Sequence, residues 1–206
     1  MTVSDKGTGS ASPTRLQRYV TTLPQGLRSY PGHAIKAAFA RALLEELPKP
    51  PRGLPEPIAV LVDRPPAISA WLPEVHHQAL LLGVVEQVFD GDEAEFLDMM
   101  LRLQRRLLKR KIYAPLLQIV DPARLLKHAA RRWTNFHRGA TLHLDQLTTG
   151  EAHISVTHPR GLFSSLGRAA LAGGFRAAIE AGRTHEAEVV VIETTDERTE
   201  FRGRWG

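Results

Sequence analysis

Residues 140–157 read ATLHLDQLTTGEAHISVT, and apolar side chains alternate with polar ones on both sides of a central turn. The alternating apolar positions are Ala140, Leu142 and Leu144 before the turn, and Ala152, Ile154 and Val156 after it. A period of two residues is typical of half-buried strands. The stretch therefore predicts an antiparallel hairpin with its turn at 146–150.

A helix followed by more alternating sequence comes next. Residues 163–183, FSSLGRAALAGGFRAAIEAGR, predict a helix, and residues 189–192 and 199–205 predict a second pair of strands. Gly173 and Gly174 each cost a helix about 1 kcal/mol relative to alanine, so we expect a neighbouring element to approach closely there. The predicted order is ββαββ.

The chain before residue 139 has the apolar spacing of helices. We predict helices over 31–47, 73–89, 92–110 and 121–138, with Asp92 and Asp121 as caps. The proline-rich residues 48–57 predict an extended connector, and residues 58–62 a short strand.

These elements predict an α+β fold in which a helical N-terminal half packs on an antiparallel ββαββ C-terminal module. We expect a disordered leader over 1–13 and a single α+β domain over 14–206, with its helical part at 29–138 and its ββαββ part at 139–205. The leader is rich in Ser, Thr and Gly, so it is neither a signal peptide nor a membrane span. The absence of cysteine excludes disulfides and thiolate metal sites, and we expect a cytoplasmic protein.

Positive charge is concentrated in one region of the chain. Residues 101–138 carry eleven Lys and Arg against one acid, Asp121, whereas the rest of the chain has 16 basic and 21 acidic residues. This asymmetry favours an anionic partner. Cations near helix C-termini also stabilise the helix dipole, so a solvated basic face is the alternative.

The end of the last predicted helix of the N-terminal half is the main candidate for ligand binding. An aromatic floor with cationic walls suits a nucleotide, a phosphate-bearing lipid or a carboxylate. The candidate residues are Arg131, Arg132, Trp133, Phe136, His137 and Arg138. The alternative is that Trp133 anchors the core and the arginines are solvated.

Two weaker candidate sites lie in the C-terminal module. If Leu144 pairs with Ala152, then His143 lies opposite His153 and the two could share a metal ion, with Asp145 or Glu151 as a further ligand. The start of the helix at residues 163–165 could hold an anion, with ordinary capping as the alternative.

The sequence contains no recognisable catalytic motif. Ser164 and Ser165 lie outside any Gly-x-Ser-x-Gly elbow, and we assign no catalytic residue. Our first hypothesis is a non-catalytic ligand-sensing or adaptor domain that recognises a small molecule or a protein partner. A nucleic-acid-binding regulator that uses the basic helices of 101–138 is the alternative, and an enzyme is the second alternative.

The Trp133 helix, the paired strands, the helix LGRAALAGGFRAAIEAG and the closing FRGRW resemble an uncharacterised paralogous family expanded in myxobacteria. That family is distantly similar to the 4-vinyl reductase and haem-NO-binding domains. The resemblance covers residues 25–205 and rests on element order and on the placement of Trp and Gly.

The resemblance implies a ligand-sensing or adaptor fold that forms a homodimer through its helices. Haem-NO-binding proteins carry a Tyr-x-Ser-x-Arg motif, and none of Tyr19, Tyr30 and Tyr113 begins one. Haem bound in that mode is therefore unsupported, and the cofactor remains unknown. The cysteines through which some 4-vinyl reductase-like domains bind metals or small molecules are also missing.

Overall fold

The computed structural model describes residues 12–108, 121–182, 184 and 186–206. Nearly all of the predicted leader, and the basic residues 109–111, lie outside the described residues. The described part confirms the α+β class, with a helical N-terminal half and a ββαββ C-terminal module.

Within the described residues, six α-helices build the N-terminal half. They are α1 (Arg15–Thr22), α2 (Ala37–Glu46), α3 (Glu56–Asp63), α4 (Glu74–Val88), α5 (Glu93–Leu108) and α6 (Pro122–Arg131). Asp92 and Asp121 accept hydrogen bonds from the backbone N–H groups of Glu95 and Ala123, which confirms both predicted caps. Helix α4 is buried on every side along most of its length, and it is the centre of this half.

The sequence prediction was wrong in three places in this half. Residues 58–62 form part of α3 and not a strand, because Pro57 occupies a first helical turn and Ile58 and Leu61 bury one helical face. Helix α2 begins only at Ala37, since residues 34–36 form a strand. Helix α6 ends at Arg131, and a 3-10 turn follows at Trp133–Asn135.

A three-stranded antiparallel sheet lies within the helical half. Its strands are β1 (Ala34–Lys36), β2 (Trp71–Pro73) and β3 (His137–Arg138), in the order β2-β1-β3. Ile35 pairs with Leu72 on one side and with His137 on the other. The segment after α6 leaves the helix because its backbone completes this sheet.

The C-terminal module contains a second antiparallel sheet and one long helix. Its elements are β4 (Thr141–Leu147), β5 (Glu151–Thr157), α7 (Ser165–Glu180), β6 (Ala187–Thr194) and β7 (Arg198–Trp205). The strand order is β4-β5-β7-β6. The predicted ββαββ order is therefore confirmed.

The predicted register of the first hairpin is wrong. Leu144 pairs with Ile154, and Ala152 pairs with Leu147. Strand β4 continues to Leu147 and contains a bulge between Leu144 and Gln146, so the turn is shorter than the sequence suggested. Apolar alternation alone does not reveal an extra residue in one strand.

Helix α7 covers the inner face of the four-stranded sheet. Phe175 packs edge-on against Phe201 with ring centroids 5.1 Å apart, and Phe201 is fully buried. On the other side of α7, Gln104 of α5 donates a hydrogen bond to the Ala170 carbonyl and lies against Gly173 and Gly174. The close approach predicted at these glycines is confirmed.

Candidate functional site

A cavity of about 770 Å³ opens where the helical half meets the C-terminal module. The helical half contributes the end of α1 and the loop that follows it, from Tyr19 to Tyr30. The module contributes the β5–α7 loop, the first turns of α7 and the β6–β7 turn at 194–196. Three segments that are distant in the sequence line the cavity, so it forms only when the chain folds.

Two tyrosines hold the wall of the cavity together. The Tyr19 hydroxyl donates to the Leu162 carbonyl at 2.8 Å, and the Tyr30 hydroxyl donates to the Arg160 carbonyl at 2.6 Å. Burial raises the pKa of Tyr19, so its phenol stays protonated and remains a donor. Both hydrogen bonds join the helical half to the β5–α7 loop, and both tyrosines place an aromatic ring at the cavity.

His158 and Phe163 form the deep part of the module side. Their rings meet edge-on with centroids 5.0 Å apart. The Nδ1 of His158 lies 3.0 Å from the Pro159 carbonyl and its Nε2 lies 2.8 Å from the Thr199 hydroxyl. Burial lowers the pKa of His158, so the neutral ring donates through Nδ1 and accepts at Nε2. This histidine is a structural part of the wall.

Arg168 is the main cation at the cavity. It lies in the first turns of α7, it is partly buried, and its Nη1 donates to the Phe163 carbonyl at 2.7 Å. Burial lowers the pKa of Arg168. Among the residues that the structure describes, no carboxylate lies within 4.0 Å of this guanidinium. Its remaining N–H groups are therefore available to a ligand.

Arg160 lies at the rim of the cavity, and unlike Arg168 it is largely exposed and has an acidic partner. Its side chain is 79% exposed, and its Nε lies 3.3 Å from a carboxylate oxygen of Asp196. An exposed ion pair of this kind contributes little to stability. The pair forms a polar edge at the cavity mouth.

A buried polar network begins at the cavity and runs into the core. Ser164 caps α7 by accepting from the Gly167 N–H, and its own hydroxyl and N–H donate to Oε1 of Gln78. The Nε2 of Gln78 then donates to Glu74 at 3.0 Å. Helix α4 is thus joined to the start of α7 by one side-chain amide.

Glu74 is the charged centre of this network and is only 2% exposed. The Nδ1 atoms of His77 and His137 lie 3.6 and 3.5 Å from its carboxylate oxygens. Burial alone would raise the pKa of Glu74, but the facing imidazoles of His137 and His77 outweigh it and hold the pKa far below its usual range. The carboxylate therefore stays ionised inside the protein.

Gly167 shows how tightly α4 and α7 approach each other at this network. A Cβ atom at Gly167 would lie 1.8 Å from Oε1 of Gln78. No alanine fits there unless Gln78 moves. Sequence inspection emphasised Gly173 and Gly174, yet this third glycine makes the closer approach.

The structure buries two of the six predicted ligand-binding residues. Trp133 and His137 are 8% and 7% exposed, and their rings stack with centroids 3.8 Å apart. The indole Nε1 of Trp133 donates to the Ala140 carbonyl at 2.8 Å. Trp133 is therefore part of the buried core, and one face of its ring is covered by His137.

The side chains of the other four predicted residues make different contacts. Phe136 packs edge-on against Phe39 with ring centroids 5.9 Å apart. Arg131 and Arg132 are exposed at the end of α6. Arg138 is also exposed, and its guanidinium lies 4.0 Å from the ring centroid of Trp71, as does the Nζ of Lys36.

The basis of the metal prediction at His143 and His153 does not hold. His143 pairs with Ser155, and His153 pairs with Gln146. His153 instead contacts Glu151, with Nε2 to Oε1 at 2.9 Å. Across the described ranges, no group of three His, Cys, Asp or Glu residues is placed to hold a metal ion.

The start of α7, a minor candidate in the sequence, lies at the cavity. Phe163 and Ser164 line it, whereas Ser165 is exposed outside it. Sequence inspection missed Tyr19, Arg168 and Glu74. The sequence carries no distinctive signal at either charged residue, since Glu74 begins a helix that also contains Glu86, and Arg168 is one of two arginines in α7.

No protein-family model matches the sequence, and no curated protein matches it. Solved structures do resemble the fold. The Fe(II) unliganded H-NOX protein from K. algicida has a TM-score of 0.55 and 13% sequence identity, over 84% of this chain and 97% of that one. A mutant of that protein in which one alanine is replaced by glycine has a TM-score of 0.54 and 12% identity over the same shares.

A Cs H-NOX mutant with the unnatural amino acid 4-cyano-L-phenylalanine has a TM-score of 0.52 and 12% identity, over 83% of this chain and 96% of that one. Helices in the described part of the chain are too short or too polar to cross a membrane. At these identities the likeness concerns the fold.

H-NOX stands for haem-NO/oxygen-binding, so the fold raises the question of haem. Haem iron is held by His, Cys, Met or Tyr side chains. Of the residues that line the cavity, His158, Tyr19 and Tyr30 are of these types, and each already uses its polar atoms in hydrogen bonds. The lining residues therefore do not fit a haem.

The interior between α6 and the four-stranded sheet does not fit a haem either. Trp133 lies 6.5 Å from Phe175 and Phe175 lies 5.1 Å from Phe201, centroid to centroid, so aromatic rings fill this space. His77 and His137, the buried histidines of this region, face Glu74. The chain has an H-NOX-like fold in which its own aromatic side chains pack between α6 and the four-stranded sheet.

Proposed function

We propose that the protein is a non-catalytic ligand-sensing domain that binds a small molecule in the cavity between its two halves. The observation that carries this proposal is the cavity itself, an open cleft lined by α1, the β5–α7 loop and the β6–β7 turn. Its volume of about 770 Å³ lies in the range of known small-molecule sites. Its position at the boundary between two packed units is also typical of such sites.

The surroundings of the cavity support a role in sensing. A ligand that contacts both Tyr30 and Arg168 would bridge the helical half and the C-terminal module. Ser164 at the cavity connects through Gln78 to Glu74, and Glu74 faces His137 of β3. Ligand binding therefore has a route of polar contacts from Ser164 to β3, the strand that carries the exposed Arg138.

A fragment screen tests this function. Neutral, cationic and anionic fragments would be added to the full chain, and amide chemical shifts would be followed by NMR. We expect the shifts to cluster on Tyr19–Tyr30, on 158–168 and on 194–196. Fragments that bind only elsewhere, or no binding from any class, would contradict the proposal.

Nucleic-acid binding is a second candidate function, favoured by the exposed cations at the end of α6. Arg131, Arg132 and Arg138 have no carboxylate within 4.0 Å among the described residues. We expect any such binding to weaken steeply with salt concentration. Absence of binding to single- and double-stranded probes near 50 mM salt would remove this candidate.

We further propose a protein that acts in the cytoplasm as a homodimer, belongs to the myxobacterial paralogous family, and passes its signal to a protein partner. Analytical ultracentrifugation of the full chain measures the oligomeric state directly, and a monomer at all concentrations would contradict the dimer.

A further inference from the structure

We infer that the ligand of the cavity is a small organic anion, a carboxylate or phosphate ester on an apolar body, and that Arg168 binds its charged group. This inference rests on the proposed function and specifies the chemistry of the ligand. It depends on the position of Arg168, on its lack of an acidic partner and on the aromatic lining.

The first step concerns charge. Arg168 is partly buried on α7, and the described residues place no carboxylate within 4.0 Å of it, whereas the neighbouring Arg105, Arg176 and Arg160 each have one. A desolvated guanidinium without a counter-ion costs free energy that an incoming anion would recover. One hydrogen bond, from Nη1 to the Phe163 carbonyl, fixes its orientation and leaves other N–H groups for a planar anion.

The second step concerns the rest of the lining. Tyr19, Tyr30 and Phe163 place aromatic rings at the cavity, and the two tyrosine hydroxyls already donate to backbone carbonyls. The rings therefore present mainly apolar surface to a ligand. His158 is neutral and hydrogen-bonded on both sides, so it does not compete with Arg168 for the anion.

The acidic residue that lines the cavity already has a cationic partner. Asp196 lines the cavity but is paired with Arg160 at the rim, where both side chains are largely exposed. Its charge is therefore partly neutralised and screened by water. Arg168 lies on α7, away from this pair, and it is the cation that contacts the ligand within the cavity.

Matched probes test the inference. Binding of 4-phenylbutyrate and of its neutral amide to the full chain would be measured by NMR titration, with phenyl phosphate as the phosphate arm. We expect at least one anionic probe to bind roughly tenfold or more tightly than the amide, because hydrogen bonds to charged groups are stronger than those to neutral groups. The anionic probe that binds more tightly shows whether the charged group of the ligand is a carboxylate or a phosphate.

Variants then assign the anion preference to Arg168. We expect Arg168→Gln to reduce anion affinity roughly tenfold to a hundredfold and to leave the affinity for the amide within about threefold. Arg176→Gln, the matched control on the same helix but outside the cavity, should change anion affinity by less than about threefold. Circular dichroism of each variant confirms that it is folded.

Three outcomes would overturn the inference: equal binding of anion and amide, an anion preference that survives Arg168→Gln, or no binding of either anionic probe to the wild type. If neutral fragments still bind in the cavity in those cases, the proposed function stands and only the ligand class is wrong. If no fragment of any class binds there, both proposals fail.

Discussion

The cavity and the Trp133 region both contain aromatic rings beside positive charge, but the polar groups of the two regions make different contacts. At Trp133 the indole is stacked on His137 and its N–H is bonded to Ala140, so the ring is part of the core. At the cavity, Arg168 keeps N–H groups without a partner among the described residues and faces open space. Satisfied polar groups in packed surroundings indicate stability, and an unpaired cation at a cavity indicates binding.

The two regions are nevertheless connected. Glu74 faces His137, which stacks on Trp133, and Gln78 joins Glu74 to Ser164 at the cavity wall. Substitutions in this interior should therefore alter stability strongly, and substitutions at the cavity should alter binding. The following predictions test that division, beginning with the largest effect.

Trp133→Ala should be the most destabilising change. It removes a buried indole and its hydrogen bond to Ala140, so we expect the free energy of unfolding to fall by about 3–5 kcal/mol in urea titrations. Trp71→Ala is the matched control, because Trp71 is only partly buried and meets two cations at the surface. A loss at Trp133 no larger than the loss at Trp71 would contradict the anchoring role.

Glu74→Gln should destabilise the fold by about 2–3 kcal/mol near neutral pH, because it removes the charge that faces His77 and His137. The pKa of Glu74 is lowered in the folded state, so its stabilisation is complete above its ordinary value of 4.5 and is lost as pH falls below that value. The difference between wild type and variant should therefore shrink from pH 6 to pH 3. A difference that grows with acidification would show that Glu74 is not held ionised.

Gly167→Ala should lower the free energy of unfolding by about 1–2 kcal/mol, since the new Cβ collides with Gln78 and displaces the contact between α4 and α7. Gly32→Ala is the control, because a Cβ there meets nothing within 4 Å. Thermal unfolding of both variants measures the effect. Equal midpoints would mean that Gln78 moves aside without cost.

Arg131→Ala and Arg132→Ala should have the smallest effect on stability. Both side chains are exposed at the end of α6, so we expect changes within about 0.5 kcal/mol. A larger loss in urea titrations would show that the basic region contributes to the core and would weaken the contrast with Trp133.

Local patterns in the sequence predicted most of the fold. Period-two alternation identified the four strands of the C-terminal module, and Asp92 and Asp121 identified two helix starts correctly. Strand β3 at His137–Arg138 was missed because two residues have no periodicity and its formation depends on pairing with β1. The bulge in β4 was missed for a similar reason, since it depends on how two strands fit together.

The candidate site was predicted less well than the fold. The sequence indicated Trp133 and its arginines because aromatic and cationic residues are adjacent there in the chain. Tyr19, Arg168 and Asp196 come from distant segments, and only the assembled fold brings them to one cavity. The start of α7 at Phe163 and Ser164 was the part of the site that a local signal did reveal.

The most direct test of the central claim is to fill the cavity. Thr22 is exposed at the end of α1 and lines the cavity, whereas Thr21 beside it is exposed but does not line it. We predict that Thr22→Trp abolishes binding of the fragments that shift the cavity amides, while Thr21→Trp leaves their affinity unchanged and both variants keep the wild-type melting temperature. Undiminished binding by a folded Thr22→Trp variant would contradict the assignment of this cavity as the ligand site.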